Sequence, residues 1–144
     1  MNQIIIDASV AAKWALPSAD EPLTEEAFEL IARYTKSEIE FIVPDFFWVE
    51  MGNLLWKAAR LKRWSTADAR TALTTLGKYQ FPTIPSKSVI DLALAIATSF
   101  DRTVYDSVYV ALAVSTKSQL VTADRKLANA LASTLPVKWL GAYF

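Results

Sequence analysis

The chain contains no cysteine and no histidine among its 144 residues. Without cysteine there can be no disulfide, no thiolate zinc site and no cysteine nucleophile. Without histidine, the commonest general base and metal ligand in proteins is missing as well. The polar chemistry of this chain must therefore rest on Asp, Glu, Ser, Thr, Tyr, Lys and Arg.

An excess of charge of either sign is also lacking, since 15 Lys and Arg balance 15 Asp and Glu. A protein that coats nucleic acid through its overall field carries a large basic excess, so any phosphate binding here must be local. No apolar run reaches the roughly 18 residues of a membrane-spanning helix, and no charged leader precedes the first apolar run at Ile4–Ile6. We therefore expect a cytoplasmic protein that does not bind membranes.

Glycine is scarce too, with 3 residues, whereas 53% of the chain is hydrophobic. These proportions exclude disorder and low complexity, and they predict one compact domain over residues 1–144. The five Trp, five Tyr and seven Phe are many for this length. Some of them are expected to cover a partner surface, which favours self-association.

Short apolar runs separated by helical segments dominate the pattern. The predicted strands are Ile4–Ile6, Phe41–Val43, Leu120–Thr122 and Val137–Leu140. Four predicted helices have a clear range: Val10–Ala15, Val89–Ala97, Asp106–Ser115 and Leu127–Ala132, the last capped by Asp124. Three more are recognised by their start: one opens at Pro22 and carries Phe28, Ile31 and Ala32, one is capped by Asp45 and runs to about Lys62, and one is capped by Ser65. An extended connection is predicted over Phe81–Pro85. This alternation predicts a parallel sheet with helices on both faces.

Two acidic residues follow predicted strands directly. Asp7 comes after the first strand, and Asp124 comes two residues after the strand Leu120–Thr122. In an open parallel sheet the ligand crevice lies outside the carboxyl ends of the strands, so both side chains are expected there. Each could instead be only a helix N-cap, but two such residues together favour a site.

Two further acids lie in helices. Asp106 is the only charge in an apolar segment from Val104 to Val114, so it needs water at the helix start or a cation. An ordinary first-turn Asp, favoured by the helix dipole, is the alternative. Glu50 shares a face with Asn53 at i and i+3, where an amide would hold a ligating carboxylate, although a solvated polar face explains it equally well.

Several carboxylates without His or Cys describe an oxygen-only site, which suits Mg²⁺ or Mn²⁺. Clustered acids would raise one another's pKa, whereas divalent ions would balance their charge and also bind phosphate oxygens. The acidic set therefore points to phosphodiester chemistry.

Four motifs in order along the chain resemble the PIN-domain family and, within it, the VapC-type toxins of toxin–antitoxin pairs. The similarity spans nearly the whole chain, and the order and spacing of its acidic motifs make it specific. The motifs are Ile6-Asp7-Ala8-Ser9-Val10, Glu50-Met51-Gly52-Asn53, Tyr105-Asp106-Ser107 with Tyr109 and Ala111-Leu112-Ala113, and Thr122-Ala123-Asp124-Arg125-Lys126-Leu127.

The resemblance implies a three-layer α/β/α fold with a central parallel sheet of four or five strands and Mg²⁺- or Mn²⁺-dependent cleavage of RNA. It also implies a homodimer and inhibition by an antitoxin whose C-terminal segment lies over the active-site groove. The family's acidic positions correspond to Asp7, Glu50, Asp106 and Asp124. Residues expected to support these acids are Ser9, Asn53 and Thr122.

The hypothetical reaction is in-line attack of a metal-activated water on an RNA phosphodiester, with a carboxylate as base. Asp7, Glu50 and Asp106 would hold the principal ion, while Asp124 would bind a second ion or orient the water. Basic residues near the motifs that are predicted to hold substrate phosphates are Lys13, Arg102, Arg125 and Lys126. Their simpler interpretation is ordinary surface decoration.

The main alternative is a non-catalytic, metal-binding PIN-like or receiver-like interaction module. A receiver domain would present paired acids after its first strand, where this chain has only Asp7. A phosphatase with an aspartyl nucleophile would need Asp-x-Asp, but Ser9 stands at the second position. A purely structural dimer would explain the aromatic excess and leave the acidic motifs as coincidence.

Overall fold

The computed structural model of the protein describes residues 2–17 and 21–144. Its sheet is entirely parallel, with neighbouring strands in the order β3-β2-β1-β4-β5. The strands are β1 (Asn2–Ile6), β2 (Ile39–Pro44), β3 (Thr83–Ile84), β4 (Gln119–Thr122) and β5 (Val137–Trp139).

Seven α-helices lie within the described residues: α1 (Ala8–Ala11), α2 (Thr24–Thr35), α3 (Phe47–Arg60), α4 (Thr66–Leu76), α5 (Ile90–Phe100), α6 (Val104–Ser115) and α7 (Arg125–Leu131). Short 3-10 turns cover residues 12–14, 86–89 and 140–142. None of the helices in this part of the chain has the length and apolar character needed to cross a bilayer.

The alternating side chains of β1 divide the interior into two cores. Ile4 and Ile6 pack with residues of α1, α2, α3 and α4, whereas Ile5 packs with residues of α5, α6 and α7. All three isoleucines are at most 2% exposed. A strand that is covered on both faces is continuously apolar, which explains the unbroken run Ile4–Ile6. The predicted three-layer α/β/α fold is therefore confirmed.

One local prediction was incomplete and another was wrong. The connection predicted over Phe81–Pro85 contains the strand β3, which pairs with the end of β2. Asp45 does not cap α3, because that helix begins at Phe47 and its N-cap, Phe46, makes no side-chain capping bond. The Asp45 carboxylate instead accepts a hydrogen bond of 3.4 Å from Ser86.

The helix caps predicted at Ser65 and Asp124 are confirmed. Ser65 caps α4 by accepting from the backbone N–H of Asp68, and Asp124 caps α7 by accepting from that of Leu127. The predicted helix Asp106–Ser115 begins two residues earlier, at Val104, because Thr103 is its N-cap.

The strand order reverses direction at β1, which has β2 on one side and β4 on the other. At such a switch point the connections from neighbouring strands leave in opposite directions and open a crevice at the carboxyl ends. The residues after β1 and β4 therefore face a common space.

Candidate active site

A cleft of about 390 Å³ lies at this switch point. It is lined by side chains from four separate parts of the chain: the β1–α1 turn, α3, α6 and the β4–α7 turn. The four acidic residues predicted from sequence all line it: Asp7, Glu50, Asp106 and Asp124. Their neighbours in the lining include Ser9, Asn53 and Tyr109.

Asp7 is the most enclosed of the four acids, at 8% exposure. It caps α1, since its Oδ1 accepts a hydrogen bond of 3.3 Å from the backbone N–H of Val10. The same oxygen accepts from the Ser9 hydroxyl, and Oδ2 accepts from the Thr122 hydroxyl at 2.5 Å. The N-cap interpretation and the site interpretation of Asp7 are thus both compatible with its geometry.

The two hydroxyls also connect Asp7 to the chain after β4. Ser9 Oγ accepts from the backbone N–H of Ala123 at 3.2 Å, and Thr122 Oγ1 accepts from that of Asp124 at 3.0 Å. Each hydroxyl therefore donates to the carboxylate and accepts from an amide. This arrangement fixes the ends of β1 and β4 relative to each other, as a supporting role for Ser9 and Thr122 requires.

Burial raises the pKa of Asp7 to about 6, despite the opposing hydrogen bonds from Ser9, Thr122 and Val10. The nearby charge of Glu50 raises it further. A carboxyl group titrating near neutrality can exchange a proton with substrate or solvent under ordinary conditions.

Glu50 lies in the first turn of α3 and is half-buried. Its Oε1 accepts a hydrogen bond of 2.6 Å from the hydroxyl of Tyr109. Burial raises the pKa of Glu50, and the charge of Asp106 adds to this effect, while the bond from Tyr109 opposes it. Sequence reasoning included Tyr109 in a motif but not among the site residues. Its i, i+3 spacing from Asp106, which puts both on one face of α6, was the available signal.

Asp106 lies in the first turn of α6, and Asp124 lies just before α7. Burial raises the pKa of Asp106, and the charge of Asp124 raises it further. The hydrogen bond from Thr103 and the charge of Arg102 act in the opposite direction. Arg102 is therefore close enough to the acidic cleft to influence its protonation.

Comparison with known proteins identifies this arrangement. The model of the PIN domain family matches residues 4–131. The chain belongs to the PIN-domain family. This match includes all of the elements that carry the four acids, from β1 to α7.

The relatives of this PIN domain include VapC proteins. It is 32% identical over 130 residues to Ribonuclease VapC3 of Pyrobaculum aerophilum, a match that covers 88% of this chain and 93% of that protein. The crystal structure of PAE2754 from Pyrobaculum aerophilum has a TM-score of 0.66 and 27% identity, covering 97% of this chain and 92% of that one. A toxin–antitoxin complex from Klebsiella pneumoniae has the same fold, with a TM-score of 0.59, 15% identity and coverage of 94% and 95%.

The four basic residues predicted near the PIN-domain motifs have different surroundings. Lys13 is 5% exposed, and its Nζ lies 3.0 Å from Glu21 Oε2, so its charge is already paired inside the protein. The guanidinium of Arg125 lies 4.5 Å from the ring centroid of Trp139 and lines a separate hollow. Lys126 is exposed. Only for Arg102 does the structure record an electrostatic effect on one of the four acids.

The donor set of the cleft consists of carboxylate oxygens. Among residues 2–17 and 21–144, no three acidic side chains converge closely enough to form a ready-made metal cluster. Each acid nevertheless affects its neighbour in the cleft. The charge of Glu50 raises the pKa of Asp7, the charge of Asp106 raises the pKa of Glu50, and the charge of Asp124 raises the pKa of Asp106. Such mutual repulsion is relieved by a cation, and Mg²⁺ commonly uses one or two carboxylates while keeping several waters. These residues therefore fit Mg²⁺ or Mn²⁺.

Proposed function

We propose that this PIN domain is a Mg²⁺- or Mn²⁺-dependent ribonuclease that hydrolyses RNA phosphodiesters, and that it is the toxin of a VapBC-type pair. The observation that carries the proposal is the meeting of four carboxylates from four separate elements around one cleft. The name of the 32% identical relative, Ribonuclease VapC3, supports the substrate class.

In this proposal Asp7, Glu50 and Asp106 surround the principal divalent ion and would bind it partly through water, as Mg²⁺ commonly does, and Asp124 would bind a second ion or orient water. When bound, the ion supplies charge neutralisation for the phosphate and lowers the pKa of water, which makes water a better nucleophile. Ser9 and Thr122 keep the Asp7 carboxylate oriented through the hydrogen bonds described above. Asn53 lines the cleft one turn beyond Glu50, where its amide supports substrate or water.

The proton released from the attacking water needs an acceptor. In this proposal a carboxylate of the cleft takes this proton. The ion and the base would compete for the same oxygens, so a second acid, Asp124, is needed to share these tasks. It lies next to Asp106, whose pKa its charge raises.

RNA phosphates would enter beside Arg102, which we assign as the main substrate-binding cation. Its charge lowers the pKa of Asp106, so the guanidinium lies near the acidic cleft. A guanidinium can bind a phosphate through two parallel N–H groups. Arg125 and Lys126 follow Asp124 directly and remain secondary candidates for the same task.

The proposed protein partner is an antitoxin, and a homodimer is the proposed assembly. The presence of a toxin–antitoxin complex among the proteins with this fold supports the first part. Apolar side chains are exposed on α3: Val49, which lines the acidic cleft, is 74% exposed, and Trp56, which lines a separate hollow, is 55% exposed. Because these residues are seven positions apart, they share one face of α3, and exposed apolar side chains on one face favour a surface that a partner covers.

The deciding experiment is cleavage of a mixed RNA pool by the purified protein with Mg²⁺, with Mn²⁺ and with EDTA. The Asp106→Asn variant tests the site, and Asp91→Asn, in the exposed first turn of α5, is the matched control. We expect metal-dependent cleavage by the wild type and the control, and a loss of at least about 100-fold in Asp106→Asn. Equal cleavage by all three proteins would refute the assignment. Absence of cleavage by a folded protein that binds Mn²⁺ would favour the non-catalytic interaction module.

A further inference from the structure

Tyr109 is 3% exposed, yet its side chain lines the acidic cleft. The hydroxyl donates its proton to Glu50 Oε1 over 2.6 Å, although the two residues are 59 positions apart. The bond connects α6, which also carries Asp106, to α3, which carries Glu50. One phenol therefore links two of the acid-bearing helices.

The backbone of Ala8, the first residue of α1, is close enough to the phenol to lower its pKa. Ala8 directly follows Asp7, so the phenol contacts a third acid-bearing segment. The ring packs edge-on against Phe46, with centroids 5.6 Å apart and an interplanar angle of 89°. The ring is thus held by packing, while its hydroxyl holds Glu50 and lies beside the start of α1.

The hydroxyl of Tyr109 can act only as the donor in its hydrogen bond to Glu50. An ionised carboxylate has no proton to donate, and a phenol keeps its proton at neutral pH. It must then donate to Glu50 rather than accept. The other oxygen, Oε2 of Glu50, has no hydrogen bond from any residue in the described ranges. One carboxylate oxygen is therefore fixed and the other is available.

We propose that Tyr109 is a positioning residue for Glu50: it anchors Oε1 to α6 and thereby orients Oε2 for a divalent ion in the cleft. This inference rests on the proposed function, because it takes Glu50 to be a metal ligand. The hydrogen bond between Tyr109 and Glu50 does not depend on that function. Packing alone does not account for the hydroxyl, because phenylalanine would make the same ring contact with Phe46.

The first test uses the metal-free protein with ¹³C-labelled glutamate. The carboxyl resonance of Glu50 is assigned by its loss in Glu50→Gln. We expect Tyr109→Phe to shift this resonance and to increase the mobility of the side chain. Tyr79→Phe removes the same hydroxyl from another ring, one stacked on Phe81 at 5.5 Å, and should leave the resonance unchanged. An unaltered Glu50 resonance in Tyr109→Phe would overturn the proposal, whatever the metal does.

The second test measures binding of Mn²⁺ alone by calorimetry. Loss of a partner that orients a ligand typically weakens metal binding 10- to 100-fold, so we expect about a 10-fold loss in Tyr109→Phe. In the Glu50→Gln background the same change should have no effect. A loss that persists in that background would show that Tyr109 acts through general packing and would overturn the inference. A wild type that binds no Mn²⁺ refutes the metal-dependent function, and the carboxyl resonance then decides the positioning role.

Discussion

The hydroxyl of Thr122 donates a hydrogen bond of 2.5 Å to Oδ2 of Asp7, across 115 positions of sequence. Thr122 is fully buried at the end of β4, and Asp7 follows β1, the neighbouring strand. The same hydroxyl accepts from the backbone N–H of Asp124. One side chain thus orients one acid of the cleft and the backbone of another.

Thr122→Val tests this bridge, because valine has nearly the same shape but no hydroxyl. We expect the free energy of unfolding at pH 8 to fall by about 1–3 kcal/mol, since a buried carboxylate and a backbone N–H both lose a partner. Denaturant unfolding gives this value. Thr98→Val, on the exposed surface of α5, is the control and should change stability by less than about 0.5 kcal/mol. Equal effects of the two substitutions would contradict the bridging role.

Asp7→Asn is expected to stabilise the metal-free protein above pH 6. The pKa of Asp7 rises from 3.8 to about 6 on folding, so between these values the folded state binds the proton more tightly. The stability of the wild type therefore falls as pH rises from about 4 to about 6, by up to about 3 kcal/mol. Asparagine does not ionise and escapes this loss.

The measurement is the free energy of unfolding in EDTA at pH 4 and pH 8, with Asp91→Asn as the control. The advantage of Asp7→Asn should be near its maximum at pH 8 and below about 1 kcal/mol at pH 4. A variant that is less stable than the wild type at both values would show that the hydrogen bonds from Ser9 and Thr122 outweigh burial. Cleavage activity should be lost in Asp7→Asn at either pH.

Local sequence signals predicted much of the fold. Asp7 and Asp124 were expected in one crevice because strand ends in a parallel sheet share an edge, and the structure does place both around the same cleft. Their catalytic role stays a prediction. β1 was recognisable because a strand covered on both faces needs no polar residue.

The remaining features depend on contacts between distant parts of the chain. The two-residue strand β3 exists because Val43 and Asp45 donate backbone hydrogen bonds to Pro82 and Ile84, a pairing with no periodic signal. The bond from Tyr109 to Glu50 joins helices 59 positions apart. Lys13 has its charge paired by Glu21, eight positions further along the chain. Residue type and spacing alone cannot reveal such partners.

Two glycines should respond in opposite ways to alanine. A Cβ at Gly141 would lie 2.5 Å from atoms of the Trp139 ring, whereas a Cβ at Gly52, inside α3, would meet nothing within 4 Å. We expect Gly141→Ala to cost about 1–3 kcal/mol through overpacking, and Gly52→Ala to add about 0.5–1 kcal/mol through helix propensity. Denaturant unfolding measures both effects. A stabilising Gly141→Ala would mean that the Trp139 ring moves aside without loss.

The last prediction separates two cations that sequence alone treated alike. The charge of Arg102 lowers the pKa of Asp106, so the guanidinium lies near the acidic cleft. Arg102→Gln should therefore raise the KM for RNA roughly ten-fold, the effect of one charge-assisted hydrogen bond, and leave stability nearly unchanged. Lys13→Met should instead lower stability and leave the KM for RNA unchanged.

Lys13 is buried against Glu21, which also accepts from Arg63 at 3.1 Å. Because Arg63 would still neutralise Glu21, we expect Lys13→Met to lower the free energy of unfolding by about 1–3 kcal/mol rather than the full cost of an isolated buried charge. Its KM for RNA should match that of the wild type. Steady-state cleavage gives the KM of each variant, and denaturant unfolding gives its free energy of unfolding. A raised KM with intact stability in Lys13→Met would return Lys13 to the substrate-binding set.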